Sequence, residues 1–203
     1  MSQVFPTKSN LMNTKKSLEL AKLGYELMDR KRNILVREMM LLLDEAEQIQ
    51  KQVSETYRKA YSALDKAFLT LGDCSDFAEN VPVDNGLEVD LRSVMGTELP
   101  VVYLKERHET AYYGLQKTNS MLDEAYFEFK KVKEMTVSLA QTANSVYRLA
   151  DAIKKTQKRA NALDNILIPR FEETVKFISD ALEEKEREDF SRLKITKKQR
   201  EDL

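Results

Sequence analysis

The chain has 203 residues, one third of them charged, with five Gly, four Pro and no Trp, a balance that suits long helices and argues against a compact mixed domain. Its longest apolar run, Met39 to Leu43, is far short of the roughly 18 residues a membrane span needs, so no direct membrane insertion is expected. The net charge is −1, yet residues 73–116 hold nine acids against three bases, leaving the remainder at +5. This asymmetry implies either two functional surfaces or merely a pair of solvated faces. The N-terminal segment lacks the basic-then-apolar pattern of a signal peptide, and the lone Cys74 cannot close an internal disulfide, so a reducing, cytoplasmic setting is expected.

From Leu11 a seven-residue repeat runs through residues 11, 18, 25, 32, 39, 46 and 53 and through 14, 21, 28, 35, 42, 49 and 56. Eleven of these fourteen are apolar. Such persistence without an internal break beyond Gly24 predicts a coiled-coil helix, and the seam then steps over to Tyr57, Leu64 and Leu71. Pro6 with Thr7 or Ser9 suits its start and Gly72 its stop. At 1.5 Å per residue this is a rod of roughly 95 Å, which requires a partner helix. The run Met39 to Leu43 is read as core.

Between residues 73 and 117 the glycines and two prolines (Pro82, Pro100) mark turns, and Leu87 to Val94 alternates apolar with polar residues. With a second apolar piece from Val101 to Leu104 this predicts a short β-hairpin inside a small acidic insert. A two-stranded ribbon is marginal alone, so it packs on the rod or on another subunit.

A second long helix is expected over 118–203, opening at Ser120 with Asp123 in capping-box spacing. Its apolar positions are 125, 132, 139, 146, 153, 160 and 167, with companions at 122, 129, 136, 143, 150 and 157. Folding back across the insert makes the pair antiparallel and sets Gly24 near residue 166. The expected fold is therefore all-α, a long antiparallel two-helix coiled coil: 1–72 as an N-terminal shaft helix, 73–117 as the insert, and 118–203 as a C-terminal shaft helix and tail. Pro169 lies in the second helix, where it removes the bond to the carbonyl of Asn165. It is read either as a helix end or as a kink, and a kink would pair it with Gly24.

Catalytic and cofactor chemistry is not expected. There is no phosphate-binding loop, one His and one Cys make no familiar zinc set, and the adjacent Glu172 and Glu173 face different directions on a helix. His108 is read as a surface loop residue. The pairing also brings Arg30, Lys31 and Arg32 to the level of Lys158 and Arg159, with Lys22, Arg148, Lys154 and Lys155 nearby. This basic collar is either a solvated face or a bearing contact with carboxylates around the shaft. Arg32 sits on the seam and would have to extend its guanidinium outward.

Three segments together resemble the D subunit of V-type and archaeal-type rotary ATPases, the central rotor shaft. They are Pro6 to Val36, the segment carrying Tyr113, Gly114, Leu115, Leu122, Asp123 and Ala125, and the stretch with Arg159, Asn161, Ala162, Leu163, Ile168, Pro169, Glu172 and Thr174. The resemblance spans about residues 6–182. It implies a non-catalytic rotor without a cofactor that couples ATP hydrolysis or synthesis to ion transport. The implied partners are the catalytic A and regulatory B subunits of a hexamer, the small F subunit of the stalk, and the C subunit leading to the membrane ring. The collar would meet the hexamer. The insert is expected at the membrane end, seating the small stalk subunit through Leu87, Val89, Leu91, Val101 and Val102. The competing readings are a coiled-coil tether or chaperone with an acidic head and, more remotely, nucleic-acid binding through the collar, which lacks interleaved aromatic residues.

Overall fold

A computed structural model describes residues 5–83, 85–105, 112–114, 116 and 118–201. Asp84, His108 and Leu115 lie outside the described residues. In chain order the elements are helix α1 (Lys8–Leu71), a short helix α2 (Ser75–Glu79), strands β1 (Leu87–Val94) and β2 (Thr97–Leu104), helix α3 (Ser120–Ala162), a π-helical turn (Leu163–Leu167) and helix α4 (Ile168–Glu201). The chain is thus all-α, two long helical runs joined by an insert that holds one antiparallel hairpin.

The ends of α1 follow from local chemistry. Thr7 caps it, its Oγ1 accepting from the N–H of Asn10 at 3.2 Å. Gly72 takes φ +78, and its N–H bonds the carbonyl of Phe68. All fourteen heptad positions of α1 are buried or half-buried. The run Met39 to Leu43 divides, as a period of 3.6 demands: Met39 and Leu42 pack on the core, while Met40, Leu41 and Leu43 are exposed.

The second helical run departs from strict sevens. Thr136, Ala150 and Leu167 are exposed, and the buried side chains include Thr142, Ser145, Leu149 and Thr156. An α-helix drifts about 20° per heptad against a 3.5 repeat, so the inward stripe moves to new positions. Its cap is Asn119 and not Ser120: Asn119 Oδ1 accepts from the N–H of Leu122 at 3.1 Å. Asp123 instead accepts from the Tyr113 hydroxyl at 2.7 Å.

The chain divides into two compact units. One comprises Met1–Asn33 and Lys154–Leu203, the other Ile34–Ile153. In the first, α1 and the second helical run lie antiparallel. Lys8 pairs with Glu186 (3.1 Å) and Lys22 with Glu172 (2.7 Å), while a Cβ on Gly24 would meet Leu163 Cδ1 at 3.8 Å. Gly24 therefore faces residue 163, three residues from the expected 166. Ala160 and Ile178 are buried there.

The second unit has two core clusters. Leu35, Leu99 and Leu149 form one, with Met39, Leu42, Val94, Ala152 and Ile153 against it. Ala67, Cys74 and Leu122 form the other, beside Leu71, Phe77 and Tyr113. Leu99 belongs to β2, so the hairpin is laid against the helices near Leu149, roughly 44 Å of helix beyond Ser120 at 1.5 Å per residue. It folds back along the helices and does not stand at their loop end. The second strand also begins at Thr97, four residues before the expected Val101, and takes in Pro100. Met95 (φ 50) and Gly96 (φ 74) form the two-residue turn, the positive dihedrals that a tight hairpin of matching twist requires.

Candidate functional site

Pro169 does not end the second helical run. The turn before it widens, so that the N–H of Ile168 reaches back five residues to the carbonyl of Leu163. A proline ring crowds the carbonyl four residues earlier, here that of Asn165, and a wider turn relieves this crowding without ending the helix. One extra residue per turn also moves the inward stripe: Ile168 is half-buried where Leu167 was expected, and Phe171, Val175 and Ile178 continue it. Leu163, the first residue of the π turn, packs over Gly24.

The basic residues of the first unit separate into two kinds. Arg32 is tied down: its guanidinium pairs with Asp29 (2.6 Å) and donates to Gln157 Oε1 (2.8 Å) and Asn33 Oδ1 (3.2 Å). Gln157 in turn donates to Asn161 Oδ1 at 2.7 Å, which extends the network toward the π turn. Lys22 is held by Glu172, and Arg30 lies 3.8 Å from Glu26. Lys31 is half-buried, and Lys154, Lys155, Lys158 and Arg159 are exposed on the second helical run. Arg148 lies in the second unit, where it donates to the carbonyl of Glu98 at 3.1 Å and so fastens the hairpin. The seam position of Arg32 was legible in the heptads; its polar partners, one of them 125 positions away, were not.

The hairpin is held by further polar contacts. Val102 N–H donates to Gln141 Oε1 at 2.7 Å, and Arg92 pairs with Glu38 at 2.8 Å. Leu87, Val89 and Leu91 remain exposed, whereas Val101 and Val102 are half-buried. Among the described residues no group of three or more His, Cys, Asp or Glu is placed to hold a metal ion. No described helix is long and apolar enough to cross a membrane.

A family model for the D subunit of ATP synthase matches residues 10–198. The chain belongs to the ATP synthase D-subunit family. It is 43% identical over 197 residues to the V-type ATP synthase D subunit of Thermotoga neapolitana, covering 96% of this chain and 97% of that one. It is 34% identical over 198 residues to the A-type ATP synthase D subunit of Methanosphaera stadtmanae (95% and 92% covered) and 33% over 200 residues to that of Pyrococcus horikoshii (96% and 94%). As a member, the chain is a non-catalytic central-stalk rotor component that couples catalysis to rotation.

Proposed function

We propose that the two helical runs wind as a coiled coil that carries torque, with the first unit enclosed by the catalytic A and regulatory B subunits. Arg30, Lys31, Lys154, Lys155, Lys158 and Arg159 meet carboxylates of that hexamer, re-forming pairs as the shaft turns. The observation that carries this reading is the division of the basic residues. Arg32 is bonded across to Gln157 and Lys22 to Glu172, while Lys154, Lys158 and Arg159 have exposed side chains on the second helical run. Arg148, occupied by the hairpin, drops out of this surface.

The exposed apolar residues Leu87, Val89 and Leu91, with Val101 and Val102 beside them, seat the small F subunit of the stalk, and the C subunit links the shaft to the membrane ring. The π turn with Gly24 and Pro169 acts as a local bend that makes the enclosed profile asymmetric. Nucleotide affinity at each surrounding site then depends on shaft angle, a coupling of binding free energies. Native mass spectrometry of the co-purified complex tests the assembly. One copy of this chain per hexamer, with one small stalk subunit, is expected; a symmetric homo-oligomer without a hexamer would instead support a tether.

A further inference from the structure

β1 and β2 pair in register from Leu87 opposite Leu104 to Val94 opposite Thr97. Just beyond the ladder the N–H of Lys105 donates to the carbonyl of Gly86 at 2.9 Å. Hydrogen-bonded and non-bonded pairs alternate in an antiparallel ladder, so the bonded pairs fall on the even residues of β1. Leu87, Val89, Leu91 and Ser93 consequently turn their N–H and C=O groups away from β2.

The same alternation turns Glu98, Pro100, Val102 and Leu104 outward on β2, and that edge is occupied. Gln141 takes the N–H of Val102, Arg148 donates to the carbonyl of Glu98, and Pro100 has no N–H to leave unpaired. Among the described residues the outer edge of β1 has no comparable cover, and its one protecting contact there is the Asp90 carboxylate, which accepts from the N–H of Leu91 at 2.8 Å. Leu87, Val89 and Leu91 are 49%, 59% and 53% exposed and share a face, so open main-chain groups and alternate apolar side chains coincide. An uncovered edge of this kind is a template for another strand.

We propose that the outer edge of β1 receives an extended segment of a partner as a third strand of the hairpin. The segment has apolar residues at alternate positions, meeting Leu87, Val89 and Leu91, and a basic residue opposite Asp90. Glu88 already has Lys105 at 2.5 Å, whereas the residue facing Asp90 on β2 is the uncharged Val101. That leaves Asp90 as the carboxylate with charge to offer once it releases Leu91. A second copy of this chain fits poorly. Antiparallel self-pairing centred on Glu88, Val89 or Asp90 sets acids opposite acids, which destabilises a ladder, and centring on Leu91 sets Asp90 opposite Arg92, whose guanidinium Glu38 already holds at 2.8 Å. That the segment belongs to the small stalk subunit rests on the function proposed above.

The test is residue-resolved amide hydrogen exchange on the full chain, free and bound to the small stalk subunit. Strand addition protects the outward amides of Leu87, Val89 and Ser93 by about 100-fold or more on binding, while the even-numbered amides are already slow in the free chain. Val89→Pro removes only an outward donor and is expected to weaken binding about tenfold more than Val89→Ala. If the complex forms and Leu87→Thr or Leu91→Thr weakens it while the outward amides stay unprotected, strand addition is wrong and the partner assignment stands. If the complex forms with neither effect, both fall. Protection that appears in the free chain with rising concentration would mean that a second copy occupies the edge and would also overturn the proposal.

Discussion

Leu163 packs against the bare backbone of Gly24, where an added Cβ would stand 3.8 Å from its Cδ1. That is ordinary contact distance, so Gly24→Ala fits and should stabilise the isolated chain by about 0.5–1 kcal/mol through lost unfolded-state freedom and better helix propensity. Pro169→Ala restores a backbone donor and removes the cause of the wide turn, adding up to about 3 kcal/mol less the cost of returning Leu167 to the seam. The double variant is expected to gain helix content and urea resistance while ATP turnover coupled to rotation in the reassembled complex falls. Full coupled activity in the stabilised double variant would deny the bend any function.

The hairpin's hold on the helices rests on Leu99, only 3% exposed among Leu35, Leu149 and their neighbours. Leu99→Ala should cost about 2–5 kcal/mol by opening a cavity there. The loss should be confined to the second unit, with amides near Leu35 and Leu149 exchanging faster and those around Ile178 unchanged. Uniform loosening of both units would show that they do not respond independently.

Tyr113 supplies a pH-dependent contribution. Burial, followed by the hydrogen bond to Asp123 and the charge of that carboxylate, pushes its phenol above the ordinary tyrosine value. A raised folded-state pKa means stability that is complete below the unfolded value of about 10 and is lost as pH climbs past it toward the folded value. Tyr113→Phe should therefore cost about 1 kcal/mol at neutral pH and flatten the decline in denaturant midpoint above pH 10. Identical alkaline profiles for the two proteins would contradict this assignment.

The collar residues are expected to affect coupling and not folding. Exposed ion pairs are worth about 0–1 kcal/mol each, so replacing Arg30, Lys31, Lys158 and Arg159 by Gln should barely move the melting temperature. Complex-level ATP turnover or torque should drop. Unchanged turnover and torque would leave these side chains as a solvated face.

Much of this architecture was legible because α1 repeats without interruption, so counting sevens from Leu11 found its inward face. The second helical run was harder. Thr142, Ser145 and Thr156 occupy buried positions, and small polar residues disguise a seam whose drift already defeats a strict heptad. Proline chemistry at 169 pointed to a weak place but not to how the backbone would meet it: Ile168 and Leu167 are both apolar, and only the five-residue step decides which one turns inward. The back-folded hairpin was hidden for a different reason. Its placement depends on Leu99 filling a space between Leu35 and Leu149, a contact across long sequence separations that strand alternation does not encode.

Whether this chain turns within its complex can be watched by immobilising the reassembled complex through its hexamer, attaching a bead to an exposed engineered cysteine on this chain, and following the bead under ATP. Unidirectional rotation that slows when ATP is limiting is the expected result. A bead that stays fixed while the complex hydrolyses ATP at its normal rate would show that this chain is not the rotor.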